Sequence, residues 1–355
     1  GYSLVALYIT SLQAATGKTT IGAGVGKHLV EKGKKVGFFK PIIVESPPMP
    51  GIDRDTSFMK HILALAEPVD LLCPALQLLP KKGETISWAA LTSRREDFMN
   101  QIREAYAQIS QGKDVIIVEG RGEPSQASRR IAQALNAKVI IVEDYSNRLS
   151  MANLITSSED FGERLLGVVL NKVPGNKLEP VAGELRTQLG KAGINVLGVL
   201  PEDRLLFTLT VGELAEHLQG EILNSTEKSA ELVENFMLGA MGLDLAPDYF
   251  SRKSNKAVIV RGKRSDMQLT ALETSTRCLV LTGKTAPIPE VIARAKDKEV
   301  PMILVKEDTA TTVTNIEEAL SQTRFNQEQK LPRLAEIMQQ HFNFQALCEG
   351  LGLAR

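Results

Sequence analysis

Residues 11–20 read SLQAATGKTT, between an apolar run at Ser3–Thr10 and a helical pattern at Lys18–Lys32. A strand, a short loop that ends in Gly-Lys-Thr and a helix are the context that a phosphate-binding loop requires. The amino terminus of the helix offers backbone N–H groups and a partial positive charge to phosphate oxygens. We predict that Lys18 contacts the outer phosphates of a nucleotide and that the Thr19 hydroxyl binds Mg²⁺.

This loop departs from the usual pattern at one position. The residue five before Gly17 is Leu12, where such loops have glycine. A plain helix start is therefore the alternative, and signals elsewhere in the sequence favour the phosphate-binding loop. The residues that we assign to nucleotide binding in this segment are Thr16, Gly17, Lys18, Thr19 and Thr20.

Strand and helix patterns alternate through the first part of the chain. Short apolar runs rich in Val, Ile and Leu are separated by helical patterns, which include Ser93–Gln111 and Glu179–Ala192. This alternation predicts an α/β fold of the P-loop NTPase type, with a parallel sheet and helices on both faces. Such sheets bind ligands at the carboxyl ends of their strands. The predicted strands are Ser3–Thr10, Lys35–Lys40, Asp114–Glu119, Lys138–Val142, Arg164–Asn171 and Asn195–Leu200.

Two polar residues end predicted strands at that edge. Glu119 follows the apolar run Val115–Val118, and a carboxylate there can bind Mg²⁺ opposite a phosphate loop, although acids at strand ends are common. The amide of Asn171 can pair with the edge of a nucleotide base, or the residue can begin a turn. Because Pro174 stands where GTP-binding proteins have an acid, the sequence favours adenine over guanine.

Three more charged residues are candidates for the same edge. Lys40 ends the second strand and can hold an anionic substrate or a transferring phosphate, or it can lie in solvent. Asp53 and Asp55 follow a proline-rich loop at residues 46–51 and precede a helical pattern at Thr56–Ala66. Either acid can cap that helix, and one of them can complete a Mg²⁺ site.

Charge and composition argue against other classes of protein. Lys plus Arg and Asp plus Glu both number 42, whereas proteins that bind nucleic acids usually carry a basic excess. No apolar run reaches the roughly 20 residues that span a bilayer. The three cysteines are far apart and predict neither disulfides nor a metal site. We expect a cytoplasmic protein without nucleic-acid or membrane partners.

The pattern of strands and helices changes after Pro201. Residues 1–205 form the predicted nucleotide-binding domain, and residues 206–325 predict a second, smaller α/β domain. Residues 326–355 predict a helical tail with one helix at Leu331–Leu347.

Several short stretches of the first 201 residues resemble a known family. Residues 3–201 resemble dethiobiotin synthetase and, more closely, the dethiobiotin-synthetase-like amino-terminal domain of long bacterial phosphotransacetylases. The stretches that carry the resemblance are TGKT at 16–19, FKP at 39–41, VEG at 118–120, LNKV at 170–173 and LGVLP at 197–201.

The resemblance implies a site for ATP and Mg²⁺. In it Lys18 binds phosphates, Lys40 binds the carbamate of the substrate and Asn171 binds adenine. The implied Mg²⁺ ligands are Thr19, Asp55 and Glu119. The implied turn beside the base consists of Leu200 and Pro201.

A second resemblance covers residues from about 208 to 322, which are similar to the DRTGG domain of long phosphotransacetylases. The segments that carry it are Leu238–Met241, Arg264–Gln268 and Leu281–Gly283. The resemblance implies an acetyltransferase domain after this one, and the 355 residues do not include it. We therefore expect the chain not to be a phosphotransacetylase by itself.

The sequence leaves three functions open, and with them the question of whether the chain is an enzyme. The first is an ATP-binding sensor or regulator. The second is an ATP-dependent ligase or amidase-type enzyme that phosphorylates a small carboxylate or carbamate, with Lys18 and Lys40 as catalytic residues. The third is a scaffold that binds no nucleotide. The resemblance also implies a homodimer, with a nucleotide and, for the second function, a small anionic substrate as ligands.

Overall fold

The structure is a computed structural model that describes residues 4–43, 53–74, 95–120 and 126–353. The proline-rich loop at residues 46–51 and the predicted helix start at Ser93 lie outside the described residues. Contacts divide the chain into two units, Gly1–Glu202 with Phe325–Arg355 and Asp203–Arg324. The predicted domain limits at residues 205 and 325 stay a prediction.

Six parallel strands form the sheet of the first unit in the described part of the chain. In chain order they are β1 (Val5–Thr10), β2 (Val36–Phe39), β3 (Val115–Glu119), β4 (Lys138–Asp144), β5 (Leu165–Val173) and β6 (Val196–Pro201). Across the sheet the order is β2-β3-β1-β4-β5-β6. Most strand residues are buried because helices cover both faces, which explains the uninterrupted apolar runs. The predicted parallel α/β fold is confirmed.

Helices connect these strands and return the chain to the opposite edge of the sheet each time. They are α1 (Lys18–Glu31), α2 (Arg54–Ile62), α3 (Val69–Leu72), α4 (Arg95–Ile109), α5 (Gln126–Ala134), α6 (Met151–Phe161) and α7 (Leu178–Lys191). Because the strands are parallel, their carboxyl ends meet at one edge. None of the helices within the described residues is long and apolar enough to cross a membrane.

The second unit is a smaller α/β domain with a five-stranded sheet in its described residues. Its strands are β7 (Glu221–Ile222), β8 (Asn235–Leu238), β9 (Lys256–Arg261), β10 (Thr276–Thr282) and β11 (Met302–Leu304), in the order β7-β11-β10-β9-β8. Only β7 pairs antiparallel among these described strands. The helices are α8 (Val211–His217), α9 (Ala246–Phe250), α10 (Ser265–Leu272), α11 (Pro289–Asp297) and α12 (Thr309–Ser321).

Alternation along β9 shows that both faces of this second sheet are buried. Ala257 and Ile259 belong to one apolar cluster, together with Leu214 of α8. Val258 and Val260 belong to another apolar cluster on the opposite face. A strand that is buried on both sides loses the polar alternation of a half-exposed strand, which is why these segments appear as short apolar runs in the sequence.

The prediction of a single carboxy-terminal helix at Leu331–Leu347 is wrong, because the chain forms two helices there. These are α13 (Leu331–His341) and α14 (Phe344–Gly350). Phe342 between them is extended, with φ −120° and ψ 134°. The Asn343 side chain then accepts a hydrogen bond from the Ala346 N–H at 2.9 Å and begins the new helix, as an N-cap does.

The interruption fits contacts between this segment and the first sheet. The backbone N–H of Asn343 donates to the carbonyl of Leu197 in β6 at 2.7 Å, and Phe342 pairs with Gly198. The Phe344 ring stacks on His28 of α1 with 3.8 Å between ring centroids. A continuous helix would lose the extended residue that pairs with β6, so tertiary contacts override the helical pattern of the sequence.

Replacing Gly198 by alanine should destabilise the first unit by about 1–3 kcal/mol, because overpacking forces backbone to move. A Cβ at Gly198 would lie 2.8 Å from the backbone oxygen of His341. The matched control is Gly183→Ala in α7, where a Cβ would meet no atom within 4 Å. That change should raise the free energy of unfolding by about 0.5–1 kcal/mol, as Gly→Ala does within helices. Equal effects of the two changes in chemical denaturation would contradict the packing.

Candidate functional site

The predicted phosphate loop joins β1 to α1 at the carboxyl edge of the first sheet. Gly17 is the N-cap of α1 and has a φ of 104°, which lies in the left-handed region that favours glycine. A Cβ at this position would lie 2.3 Å from the Nδ2 atom of Asn171. Backbone conformation and the close approach of β5 therefore both require glycine at position 17.

Lys18 is the first residue of α1, and its side chain lies over this loop. Its Nζ atom donates to the hydroxyl of Ser11 at 3.1 Å. Burial lowers the pKa of Lys18, and the nearby charges of Glu119 and Glu143 partly oppose that effect. The ammonium group is therefore poorly solvated, and anionic oxygens that enter the loop would meet a strong electrostatic partner.

Thr19 in the first turn of α1 and Glu119 at the end of β3 lie side by side. The Thr19 hydroxyl donates to both oxygens of Glu119, at 3.0 and 3.1 Å. Burial raises the pKa of Glu119 to about 7, against the opposing effect of Lys40.

The chemistry of these donors suits Mg²⁺, which prefers oxygen ligands and usually keeps several waters beside substrate phosphates. The hydroxyl of Thr19 and the carboxylate of Glu119 supply two oxygen ligands next to the phosphate loop. Among the described residues, no group of three or more His, Cys, Asp or Glu side chains has the geometry of a metal site.

Lys40 lies among three carboxylates. Its Nζ atom is 3.1 Å from Asp53, 3.2 Å from Asp55 and 3.8 Å from Glu119. Burial alone would lower the pKa of Lys40, but the charges of Glu119, Asp55 and Asp53 together raise it above its ordinary value. Lys40 therefore stays charged and does not lie in open solvent.

The two aspartates differ in their contacts. Asp53 caps α2, since its Oδ2 atom accepts from the backbone N–H of Thr56 at 2.9 Å and from the Thr56 hydroxyl at 2.6 Å. Burial opposes ionisation of Asp53, yet Lys40 and Thr56 hold its pKa below the usual value. Asp55 lies in the first turn of α2 and contacts Lys40, and its role as a Mg²⁺ ligand stays a prediction.

Asn171 lies within β5, two residues before the strand ends, and so does not begin the turn. Its Nδ2 atom donates to the Thr16 carbonyl at 3.2 Å, and its Oδ1 atom accepts from the Lys172 N–H at 3.0 Å. Pro201 pairs with Val173 at the adjacent end of β6. The structure therefore places Asn171, Leu200 and Pro201 at the same edge as the phosphate loop.

The structure thus brings the predicted site residues of the first unit to one edge of the sheet, while the role of each stays a prediction. Three contacting residues were missed from the sequence. Ser11 contacts Lys18, Lys172 donates to the Ala15 carbonyl at 2.9 Å, and Glu143 accepts from the Leu12 N–H. The signal for Glu143 was the run Val139–Val142 followed by an acid, which repeats the pattern around Glu119.

Comparison with protein families assigns both units. Residues 5–208, more than half of the chain, match the AAA domain family. The chain belongs to this AAA domain family. Residues 213–319 match the DRTGG domain, so the AAA domain is followed by a DRTGG domain in the second unit. The domain order expected from the sequence is confirmed.

Relatives of this AAA domain protein include longer enzymes. Phosphate acetyltransferase of Nitrosomonas europaea is 23% identical over 370 residues, which cover 97% of this chain and 51% of the relative. Probable cobyric acid synthase of Methanocaldococcus jannaschii is 27% identical over 229 residues, which cover 56% of this chain and 46% of the relative. The chain spans about half the length of these curated relatives.

Among solved structures, the MinD cell division protein of Aquifex aeolicus matches with a TM-score of 0.38 and 18% identity. The match covers 57% of this chain and 84% of that protein.

Replacing Lys40 by methionine should lower the free energy of unfolding by roughly 3 kcal/mol at pH 8, because breaking a buried ion pair leaves charge without compensation. Burial raises the pKa of Glu119 to about 7 although Lys40 opposes this rise, so removal of Lys40 should raise that pKa further. The loss should therefore shrink as the pH falls from 8 to 6, because Glu119 takes up a proton.

Chemical denaturation at several pH values measures this loss. The matched control is Lys191→Met at the exposed end of α7, which should change stability by less than about 0.5 kcal/mol at every pH. A loss for Lys40→Met that equals the control's, or that is the same at pH 6 and 8, would show that the carboxylates do not depend on Lys40.

Proposed function

We propose that the first unit binds ATP together with Mg²⁺ and that the chain is a regulatory protein that responds to the nucleotide. The observation that carries this proposal is the convergence of Lys18, Thr19 and Glu119 at one edge of a parallel sheet. A buried ammonium suits the outer phosphates, and the adjacent hydroxyl and carboxylate suit the ion that accompanies them.

Adenine is the base that the site favours. Asn171 and Pro201 lie at neighbouring strand ends beside the loop, and Pro174 follows where guanine recognition requires an acid. Asn171 also donates to the Thr16 carbonyl, so contact with a base would require its amide to share or exchange that hydrogen bond. The same side chain would then link the base end of the site to the phosphate loop.

The regulatory part of the proposal rests on the pairing of the two units. The match to phosphate acetyltransferase extends through both units and covers 51% of that enzyme. This pairing supports a role in which the AAA domain binds the nucleotide and the DRTGG domain transmits the change. We also propose a homodimer in the cytoplasm, and sedimentation at the mass of one chain, with and without ATP, would argue against the dimer.

A second candidate function is an ATP-dependent ligase or amidase-type enzyme, favoured by the position of Lys40 within 3.8 Å of Glu119. In that function Lys40 would leave its carboxylates to hold a small acid or carbamate while Lys18 stabilises the transferring phosphoryl group. We expect phosphate release that depends on the added acid and is lost in Lys40→Met. Release that is unchanged by every acid in a broad panel would remove this candidate.

Thermal unfolding with ATP, GTP or ADP, with and without Mg²⁺, tests nucleotide binding. A ligand at a hundred times its dissociation constant stabilises by about 2.7 kcal/mol, which should raise Tm by several degrees. We expect the largest rise with ATP and Mg²⁺, a smaller one with GTP, and none in Lys18→Ala.

The control for this measurement is Lys32→Ala, at the exposed carboxyl end of the same helix, which should retain the full shift. A Tm that no nucleotide changes would favour a scaffold that binds none. A shift that Lys18→Ala retains would place the nucleotide at another site.

A further inference from the structure

Glu143 lies beside the start of the phosphate loop. It is the penultimate residue of β4, which runs parallel to β1 with Ile141 opposite Thr10. Two residues farther along, Glu143 reaches the level of the loop that follows β1. Its side chain is fully buried.

The carboxylate of Glu143 contacts the loop through one oxygen. Its Oε1 atom accepts a hydrogen bond from the backbone N–H of Leu12. Its Oε2 atom is buried and has no hydrogen-bond partner among the described residues. Leu12 stands where other phosphate loops have glycine, and in this chain its N–H is bound to a carboxylate.

The charges that face Glu143 come from three places. Lys18 approaches from α1, Asp144 follows on the same strand, and Arg148 lies in the segment after β4. Burial has the largest effect and raises the pKa of Glu143 to about 7. The Leu12 N–H, Lys18 and Arg148 oppose this rise, and Asp144 adds to it. The carboxyl group is therefore poised between its two charge states near neutral pH.

A nucleotide in the loop would change this balance. Its phosphates would bring negative charge next to a buried carboxylate, where screening by water is weak. They would also take up the charge of Lys18, which now partly compensates Glu143. Both effects favour the neutral carboxyl group.

We propose that Glu143 is a proton-linked positioning residue of the phosphate loop, so that binding of nucleotide phosphates is coupled to the uptake of one proton by its carboxyl group. This inference rests on the proposed binding of ATP. The step combines the nucleotide, the Glu143 carboxylate and a proton from solvent into a complex with neutral Glu143. No bond of the nucleotide is made or broken.

The sign of the coupling follows from these charges. At a pH well below 7 Glu143 is already neutral, and binding needs no proton. Above that range Glu143 either takes up a proton from solvent when the nucleotide binds or stays negatively charged beside the phosphates. Both cost binding free energy, so affinity falls as the pH rises. Glu119 and the phosphates of ATP titrate in the same pH range. A comparison between the wild type and Glu143→Gln removes both contributions.

The test is the dissociation constant of ATP at a fixed excess of Mg²⁺, measured at pH 6 and pH 9 for the full chain and for Glu143→Gln. The amide keeps the oxygen that accepts from Leu12 but carries no charge. If binding raises the pKa of Glu143 by about one unit, the ratio of the two dissociation constants, wild type over variant, increases about tenfold from pH 6 to pH 9. The control Glu163→Gln, at an exposed acid, should follow the wild type.

A second measurement counts the protons taken up by the wild type and by Glu143→Gln. Calorimetric titration of ATP at pH 8 in buffers of different ionisation enthalpy gives this number, and we expect the wild type to take up more protons than Glu143→Gln. Parallel pH profiles for wild type and Glu143→Gln, or equal proton uptake by the two proteins at pH 8, would overturn the inference while ATP binding stands. If neither the wild type nor Glu143→Gln binds ATP at a site that requires Lys18, the proposed function and this inference fail together.

Discussion

Compensation of buried charge at the carboxyl edge of the first sheet constrains the elements around it. Lys40 is held by Asp53, Asp55 and Glu119 at 3.1–3.8 Å, and such groups are stable in a protein interior only while their partners stay in place. The end of β3 supplies Glu119, the residue after β2 supplies Lys40, and the start of α2 supplies the aspartates. The same electrostatic contacts therefore link the end of β3, the residue after β2 and the start of α2.

The phosphate loop is held by side chains of the neighbouring strands. Asn171 of β5 contacts the Thr16 carbonyl, Lys172 contacts the Ala15 carbonyl, and Glu143 of β4 contacts the Leu12 N–H. Other loops of this type use an early glycine, whereas in this chain an acid at the end of β4 contacts the residue at that position. These contacts explain how a loop without the early glycine can keep its conformation. They also couple that conformation to the charges of Lys172 and Glu143, which contact the loop.

Much of this fold follows from the sequence because the signals are local. Uninterrupted apolar runs predict the buried parallel strands, and the step from strand to Gly17 and Lys18 predicts the loop. Features that depend on tertiary contacts could not be predicted in this way. The division of the last helix at Phe342 needs the pairing with β6, and the choice of Asp53 as the cap needs the geometry of Thr56. Glu143 is not among the predicted site residues because the predicted strand ends at Val142, two residues before the end of β4 at Asp144.

The central claim is that Lys18, Thr19 and Glu119 form one site for a nucleotide and its ion. The most direct measurement is a crystal structure of the full chain with ATP and Mg²⁺. The account predicts Mg²⁺ about 2.1 Å from the Thr19 hydroxyl, phosphate oxygens about 2.8 Å from the Lys18 Nζ atom, and adenine beside Asn171 and Pro201. A nucleotide bound elsewhere, with Lys18 still on the Ser11 hydroxyl, would contradict it.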